Sequence, residues 1–173
     1  MNKCGDCTLC CSMLKVRMAP VKDWLKPAYT KCEHQCDKGC AIYHEKPEAC
    51  SDFKCVWLAS QDMPPNIRMS NRLRPDRCGV VLEFNNQGTI TAHCESTDYI
   101  DGELLYKLQG FRRSKLTILV STPNVNLQLD EDGFTELVRV GIDPKTHNIV
   151  FMRRADYDAL DGAVKDKLTK AFN

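Results

Sequence analysis

Residues 78–94 read Cys-Gly-Val-Val-Leu-Glu-Phe-Asn-Asn-Gln-Gly-Thr-Ile-Thr-Ala-His-Cys, and this stretch decides the fold of the larger part of the chain. Apolar residues fill the even positions on both sides of a turn whose Gly88 suits a left-handed conformation. Because successive side chains of a strand point to opposite faces, the alternation predicts a β-hairpin with one buried face. Cys78 and Cys94 fall on that face, where we expect them to pack. His93 falls on the polar face, where we expect it to be solvated.

Strand and helix patterns continue from the hairpin to residue 173. We predict α+β architecture, in which a mostly antiparallel sheet body with a C-terminal helix spans residues 78–173. Apolar residues at helical spacing predict helices over 102–113 and 155–172. Alternating patterns predict strands over 116–121, 124–129, 134–140 and 148–153.

Residues 63–77 separate this body from the N-terminal part. Three prolines and four arginines fall in this segment, which predicts an extended, solvated connector. The arginines are the best local candidates for an anionic partner, although they support nucleic-acid binding only weakly; they are Arg68, Arg72, Arg74 and Arg77.

Overall composition is that of a globular protein, with 43% apolar and 27% charged residues and a formal net charge of +1. Such a balance supplies no strong field that would attract nucleic acid or an anionic membrane. The sequence opens without an apolar signal segment and has no stretch long enough to span a membrane, which predicts a cytoplasmic location and no membrane partner. In a reducing cytosol, dense cysteines indicate metal binding or catalysis more often than disulfides.

Cysteine is the unusual component, with 11 residues in 173, nine of them before residue 56. The run Cys4-x-x-Cys7-x-x-Cys10-Cys11 matches both structural zinc modules and the segment that wraps a cubane iron–sulfur cluster. Nine thiols are enough for two four-coordinate centres with one thiol to spare, and sulfur-rich ligand sets favour zinc or iron–sulfur. We therefore predict a cysteine-rich metal-binding module at residues 1–62 with one or two centres, either [4Fe-4S] or Zn²⁺. The candidate ligands are Cys4, Cys7, Cys10, Cys11, Cys32, Cys36, Cys40, Cys50 and Cys55.

Other residues of this segment have a smaller expected part. His34 lies inside the second cysteine group and is an outside candidate ligand. We expect Trp24, Phe53 and Trp57 to form a small apolar core for the module, because aromatic side chains bury much surface.

The cysteine motifs resemble those of the YkgJ-like CxxCxxCC family, whose members are described as zinc- or iron-chelating domain proteins. The family pattern continues with a middle cysteine near a histidine, matched by Cys32 and His34. It then has GCxIYxxRPxxCxxF, where this chain has lysine in place of the arginine, at Lys46. The resemblance covers about residues 4–84 and implies a metal centre without deciding which metal. The matching segments are Cys4-Gly-Asp-Cys7-Thr-Leu-Cys10-Cys11 and Gly39-Cys40-Ala-Ile-Tyr-His-Glu-Lys-Pro-Glu-Ala-Cys50-Ser-Asp-Phe53.

Three functions fit these observations. In the first, a metal or cluster folds residues 1–62 and the protein interacts with another protein or a larger assembly, since metal binding supplies folding free energy. In the second, an iron–sulfur centre transfers electrons or senses oxidants. A metal-dependent enzyme ranks last, because all-thiolate sites are usually closed and the sequence has no HExxH-type motif.

Overall fold

The computed structural model describes residues 5–17, 25–37, 39–85, 87–146 and 148–172. The part before residue 62 consists of short elements. They are α1 (Leu9–Met13), β1 (Val16–Arg17), β2 (Leu25–Lys26), β3 (Gln35–Cys36), β4 (Gly39–Cys40), α2 (Glu48–Asp52) and α3 (Val56–Ser60). Strands β1 and β2 form one two-stranded antiparallel sheet, and β3 and β4 form another.

The described part of the chain after residue 62 contains the main sheet and the longest helices. A 3₁₀ turn at Asn71–Leu73 precedes α4 (Pro75–Cys78), β5 (Val81–Phe84) and β6 (Thr89–His93), and a second 3₁₀ turn covers Thr97–Tyr99. The remaining elements are α5 (Gly102–Arg113), β7 (Thr117–Ser121), β8 (Asn126–Leu129), β9 (Phe134–Ile142), β10 (Ile149–Arg153), α6 (Arg154–Asp158) and α7 (Gly162–Phe172).

Strands β5 to β10 form one six-stranded sheet in chain order. Neighbouring strands are antiparallel except β6 and β7, which are parallel and joined through α5. A helix in this connection is what a parallel pair requires, because its two strands start at the same edge of the sheet. The predicted mixed α and β fold, with a mostly antiparallel sheet and a C-terminal helix, is confirmed.

The hairpin of residues 78–94 forms as its sequence predicts. Strands β5 and β6 pair with Leu82 opposite Ala92, and Gly88 has φ +78° in the turn. The even-numbered face is buried against α5, as the exposures of Val80, Leu82, Ile90, Ala92 and Cys94 show, none above 3%. Phe84 is the exception at 51% exposed, and it lies at the turn end of the hairpin, opposite Ile90.

Residues 63–77 are not the extended connector that the sequence predicts. The segment contains the 3₁₀ turn and most of α4, and its Met69 and Leu73 belong to the main apolar core. Pro75 occupies the first turn of α4, where a proline has no amide hydrogen to lose and its fixed φ suits the helix. Proline thus starts a helix here, whereas the prediction counted it as part of an extended connector.

The closing helix predicted over 155–172 is divided. Helix α6 ends at Asp158 and α7 begins at Gly162, where the Asp161 carboxylate accepts a hydrogen bond from the Val164 amide at 2.9 Å. This is the bond of a helix N-cap, which explains why a new helix starts at this point. Both helices contact β9, and α7 ends against Gly141, where the Phe172 carbonyl lies over the glycine.

A second, smaller apolar cluster lies under the cysteine-rich segment. It joins Met13, Leu14, Cys55 and Leu58 to Val81 of the edge strand β5, with Phe53 and Trp57 packed against it. The predicted aromatic contribution is therefore present for Phe53 and Trp57, while Trp24 lies outside the described residues. Through Val81, which is fully buried, this segment shares its core with the sheet.

Across the described ranges, every helix is too short or too polar to cross a lipid bilayer.

Candidate functional site

Four cysteine side chains from three segments line one cavity of about 60 Å³ beside strand β5. Cys7 precedes α1, Cys10 lies within it, Cys50 belongs to α2, and Cys55 precedes α3. The remaining lining is apolar and comes from Phe53, Trp57, Leu58, Pro75 and Val81. Thiols facing a cavity with apolar walls are little screened by water, an environment in which soft metals and clusters are bound.

Backbone geometry explains how the first motif brings Cys7 and Cys10 to this cavity. Gly5 has φ +64°, which permits the tight turn that leads into α1. The amide of Cys11 then donates to the carbonyl of Thr8 at 2.9 Å as the helix begins. A single turn between the two cysteines is the reason that Cys-x-x-Cys suits a shared centre.

Cys55 has the most protected thiol of the four. It is 7% exposed and occupies the N-cap position of α3, where its Sγ accepts a hydrogen bond from the Leu58 amide at 3.4 Å. The hydrogen bond fixes the position of the Cys55 sulfur at the start of α3. The sequence gives no sign of this cap, because cysteine is rarely an N-cap residue.

A second group of thiols lies next to the cavity and shares Cys10 and Cys50 with it. The amide of Cys32 donates to the carbonyl of Cys11 at 3.0 Å, which holds the 28–32 loop on α1. The thiols of Cys10 and Cys11 are hydrogen-bonded to each other, and this bond lowers the pKa of Cys11 to about 7 against the opposing effect of burial. The Lys26 and Lys46 ammonium groups lower it further.

Cys50 is one of the two thiols, with Cys10, that belong to both groups. Burial raises its pKa, and the negative charges of Cys11, Cys32 and Cys40 raise it further, while the Lys46 charge acts in the opposite direction. These mutual effects place the five thiols of Cys10, Cys11, Cys32, Cys40 and Cys50 in one electrostatic neighbourhood. The sequence grouped them only by spacing.

The side-chain amide of Gln35 connects the β3–β4 hairpin to α1 through two hydrogen bonds. Its Oε1 accepts a hydrogen bond from the Ser12 hydroxyl at 3.0 Å, and its Nε2 donates to Thr8 Oγ1 at 2.8 Å. Both partners lie on or directly before the helix that carries Cys10 and Cys11. The β3–β4 hairpin, which ends in Cys40, is therefore held against the first motif by side chains that are not cysteines.

Lys26 is a buried charged residue near the thiols that sequence reasoning missed. It is 4% exposed, and its Nζ donates to the carbonyls of Thr30 at 2.7 Å, Pro27 at 2.9 Å and Ser12 at 3.5 Å. Burial lowers its pKa, and the negative charges of nearby cysteines act against that lowering. A single lysine near cysteines has no sequence signature, since most such lysines are solvated.

Several candidate residues lie elsewhere. Cys36 is exposed at the end of β3, and Cys4 lies outside the described residues. Cys94 is fully buried in the main core and Cys78 packs against it, where burial raises the pKa of both thiols and brings that of Cys94 to about 11. The ten described cysteines form no disulfide bonds with one another.

The histidines differ from expectation. The side chain of His93 is only 16% exposed, and its Nε2 lies 2.9 Å from Glu83 Oε2 on the neighbouring strand. The prediction that His93 is solvated is wrong, because its strand neighbours are the buried Val81 and Ser121, which the Tyr29 hydroxyl contacts. His34 Nε2 lies 3.6 Å from Glu33 Oε1, and His147 falls outside the described residues.

The four arginines have separate surroundings. Arg74 forms ion pairs with Asp6 in the first cysteine turn and, through Nε at 2.9 Å, with Asp76. Two neighbouring carboxylates neutralise its charge, and they raise its pKa. Arg68, Arg72 and Arg77 are exposed. Arg74 therefore ties the segment after residue 63 to the first motif, and this pairing weakens the case for an anionic partner there.

The two predicted alternatives, Zn²⁺ and an iron–sulfur cluster, require different distances between their sulfur ligands. Across the residues that the structure describes, no three His, Cys, Asp or Glu side chains form a group that would hold one metal ion. A single Zn²⁺ with bonds of about 2.3 Å needs its sulfurs within about 4 Å of one another. A polynuclear cluster lies between its thiolates and holds them farther apart.

No family model, curated protein or solved structure matches this chain. The resemblance of its cysteine motifs thus stays a prediction, and the site rests on its own geometry.

Proposed function

We propose that the protein holds an iron–sulfur cluster on the thiolates of Cys7, Cys10, Cys50 and Cys55, and that this centre fastens the N-terminal segment to the edge of the sheet. The observation that carries the proposal is the convergence of these four thiols, from three separate segments, on one cavity. A bound cluster would join α1, α2 and α3 through four bonds that the unfolded chain lacks. Metal binding of this kind contributes directly to folding free energy.

The local composition supports a structural role. Among the described residues, the smaller apolar cluster contains five buried ones, and one of them, Val81, belongs to the sheet. A core of this size stabilises a segment of about 60 residues poorly unless a disulfide or a bound metal adds cross-links, here called a staple. The centre would provide that staple, leaving the rest of the surface for another protein or a larger assembly.

Electron transfer is the second candidate. The amide of Leu58 donates to Cys55 Sγ, and the buried Lys26 lies beside the second thiol group. Hydrogen bonds to ligand sulfurs and nearby charges are the means by which proteins set cluster potentials. Reversible reduction by dithionite, followed by electron paramagnetic resonance, distinguishes a redox centre from a purely structural one.

Elemental analysis of protein purified without air tests the main proposal. We expect iron and acid-labile sulfide in nearly equal amounts, with absorption at about 400 nm. Stoichiometric zinc without iron would replace the cluster by a single-ion site. Protein that contains neither metal, before and after anaerobic reconstitution, would overturn the proposal.

Matched cysteine variants test the ligand assignment. Cys7→Ser and Cys55→Ser should lose the metal and the ordered N-terminal segment, while the sheet remains folded by circular dichroism. Cys78→Ala is the control, because its thiol packs on the core: it should lose about 1–2 kcal/mol of stability and retain all its metal. Metal loss in Cys78→Ala, or full retention in Cys7→Ser, would contradict the assignment.

A further inference from the structure

The ammonium group of Lys26 is fixed in a buried position between the two segments that carry the second thiol group. Its three carbonyl acceptors belong to Ser12, directly after Cys11, and to Pro27 and Thr30, just before Cys32. Three N–H donors with three acceptors satisfy the hydrogen bonding of an ammonium group. These hydrogen bonds fix the positive charge of Lys26 near the second thiol group, whereas the charge of an ordinary surface lysine moves freely in water.

Carbonyl acceptors leave the charge of Lys26 uncompensated. They carry dipoles and no net negative charge, and among the described residues no carboxylate forms an ion pair with Lys26. An ammonium group that is buried without a counter-charge costs several kcal/mol. The nearby groups that supply negative charge when ionised are the thiols of Cys32, Cys11, Cys10 and Cys50, and two of them, Cys10 and Cys50, are ligands of the proposed centre.

We infer that Lys26 is the built-in counter-charge of the thiolate centre, a positioning residue that favours the metal-loaded state over the empty one. The inference rests on the proposed function. Four thiolates around Zn²⁺ leave two negative charges in excess, and thiolate-bound iron–sulfur clusters are likewise anionic. A fixed positive charge at short range stabilises such a centre most where water is excluded, because the local dielectric response is weak there.

Lys26→Gln separates the charge from the hydrogen bonds. Glutamine keeps two N–H donors for the carbonyls and removes the charge. We expect metal loss to a chelator, measured without air, to be about tenfold faster than in the wild type, with little change in the melting temperature of the metal-free protein. In an iron–sulfur protein the reduction potential should also move to more negative values. Lys15→Gln is the control, because Lys15 is exposed, and it should match the wild type.

The results separate three cases. If the metal-free Lys26→Gln protein loses as much melting temperature as the loaded one, Lys26 only holds carbonyls and the inference is overturned. Unchanged metal release from Lys26→Gln, while the wild type binds metal normally, also overturns the inference and leaves the proposed function standing. Wild-type protein without any metal overturns both.

If Lys26→Gln does not fold, a variant that keeps the positive charge at position 26 provides the test. Lys26→Arg should release metal at a rate within about threefold of the wild type, because the guanidinium is always charged. Rapid metal loss from a folded Lys26→Arg would contradict the counter-charge role.

Discussion

The hydroxyl of Tyr29 donates a hydrogen bond to Ser121 Oγ over 3.0 Å, joining residues that lie 92 positions apart. Tyr29 lies in the loop before Cys32, and its amide is held by the carbonyl of Met13. Ser121 is the last residue of β7, in the interior of the sheet. The contact shows that the cysteine-rich segment reaches past the edge strand β5 and over the polar face.

Tyr29→Phe tests how much this contact stabilises the arrangement. Removing the hydroxyl should lower the free energy of unfolding by about 0.5–1.5 kcal/mol at pH 7, as measured by urea denaturation. Burial raises the pKa of Tyr29 above its ordinary value of 10.0. Its contribution is therefore complete below that ordinary value and declines as the pH rises further, so the difference between the two proteins should shrink at alkaline pH. Tyr106→Phe, at a site 68% exposed, is the control, and equal stability of all three proteins would exclude a role for the contact.

The contact between Gly141 and the C-terminal helix predicts a sharp effect of a single methyl group. A Cβ built at Gly141 would overlap the Phe172 carbonyl oxygen, which belongs to the backbone and has little freedom to move. Gly141→Ala should therefore cost about 1–3 kcal/mol and displace α7 from β9, seen as faster amide exchange in α7.

Gly110→Ala provides the matched comparison. Gly110 lies inside α5, and a methyl group added there would meet no described atom within 4 Å, so alanine should stabilise the helix by about 0.5–1 kcal/mol. Equal melting temperatures of the Gly141 and Gly110 variants would show that α7 is not held where the structure places it.

Cysteine reactivity should follow burial. Cys94 is fully buried and has a pKa raised to about 11, whereas Cys36 is exposed. Because the thiolate is the reactive species, iodoacetamide at about pH 7.5 should modify Cys36 first and leave Cys94 intact until the protein unfolds. Peptide mass spectrometry on timed samples of metal-free protein gives the order, with urea-unfolded protein as the control. Modification of Cys94 as rapid as that of Cys36 in folded protein would contradict this placement.

The pair of Glu83 and His93 predicts a dependence of stability on acid pH. The hydrogen bond from His93 holds the pKa of Glu83 below its usual value of 4.5. A carboxyl whose pKa is lowered by folding contributes stability above its unfolded pKa and loses it as the pH falls through the folded value. Glu83 is nearly half exposed, so the pair contributes at most about 1 kcal/mol.

Glu83→Gln should thus melt below the wild type at about pH 5.5 and close to it at about pH 3. Glu95→Gln is the control, since Glu95 is exposed on the neighbouring loop. A difference between Glu83→Gln and wild type that persists unchanged at the lower pH would assign the effect to packing and not to the charge.

Local pattern was sufficient for the elements of the sheet. The hairpin around Gly88, the helix at 102–113 and the positions of the later strands follow from periodicity, because each element is decided by neighbours close in sequence. The parallel pairing of β6 with β7 could not be read from the strands themselves. It depends on α5 crossing the sheet between them, which is a relation among three elements.

Local sequence patterns gave wrong predictions where the surroundings of a residue depend on distant parts of the chain. The sequence pattern places Pro75 in an extended connector, yet this residue starts a helix. Met69 and Leu73, which precede the helix, lie in the core. His93 reads as solvated because its own strand face is polar, and it is covered by residues from a distant segment. Such coverage is a tertiary property, and a single strand carries no record of it.

For the cysteines, the sequence by itself determined that many thiols would lie in one short segment at spacings typical of metal sites. Only the tertiary structure decided which of them meet, because Cys7, Cys10, Cys50 and Cys55 come from three separate segments and line one cavity. It alone also placed Lys26 among them. Spacing along a chain limits the distance between neighbours in sequence, whereas the meeting of remote side chains depends on how the whole chain packs.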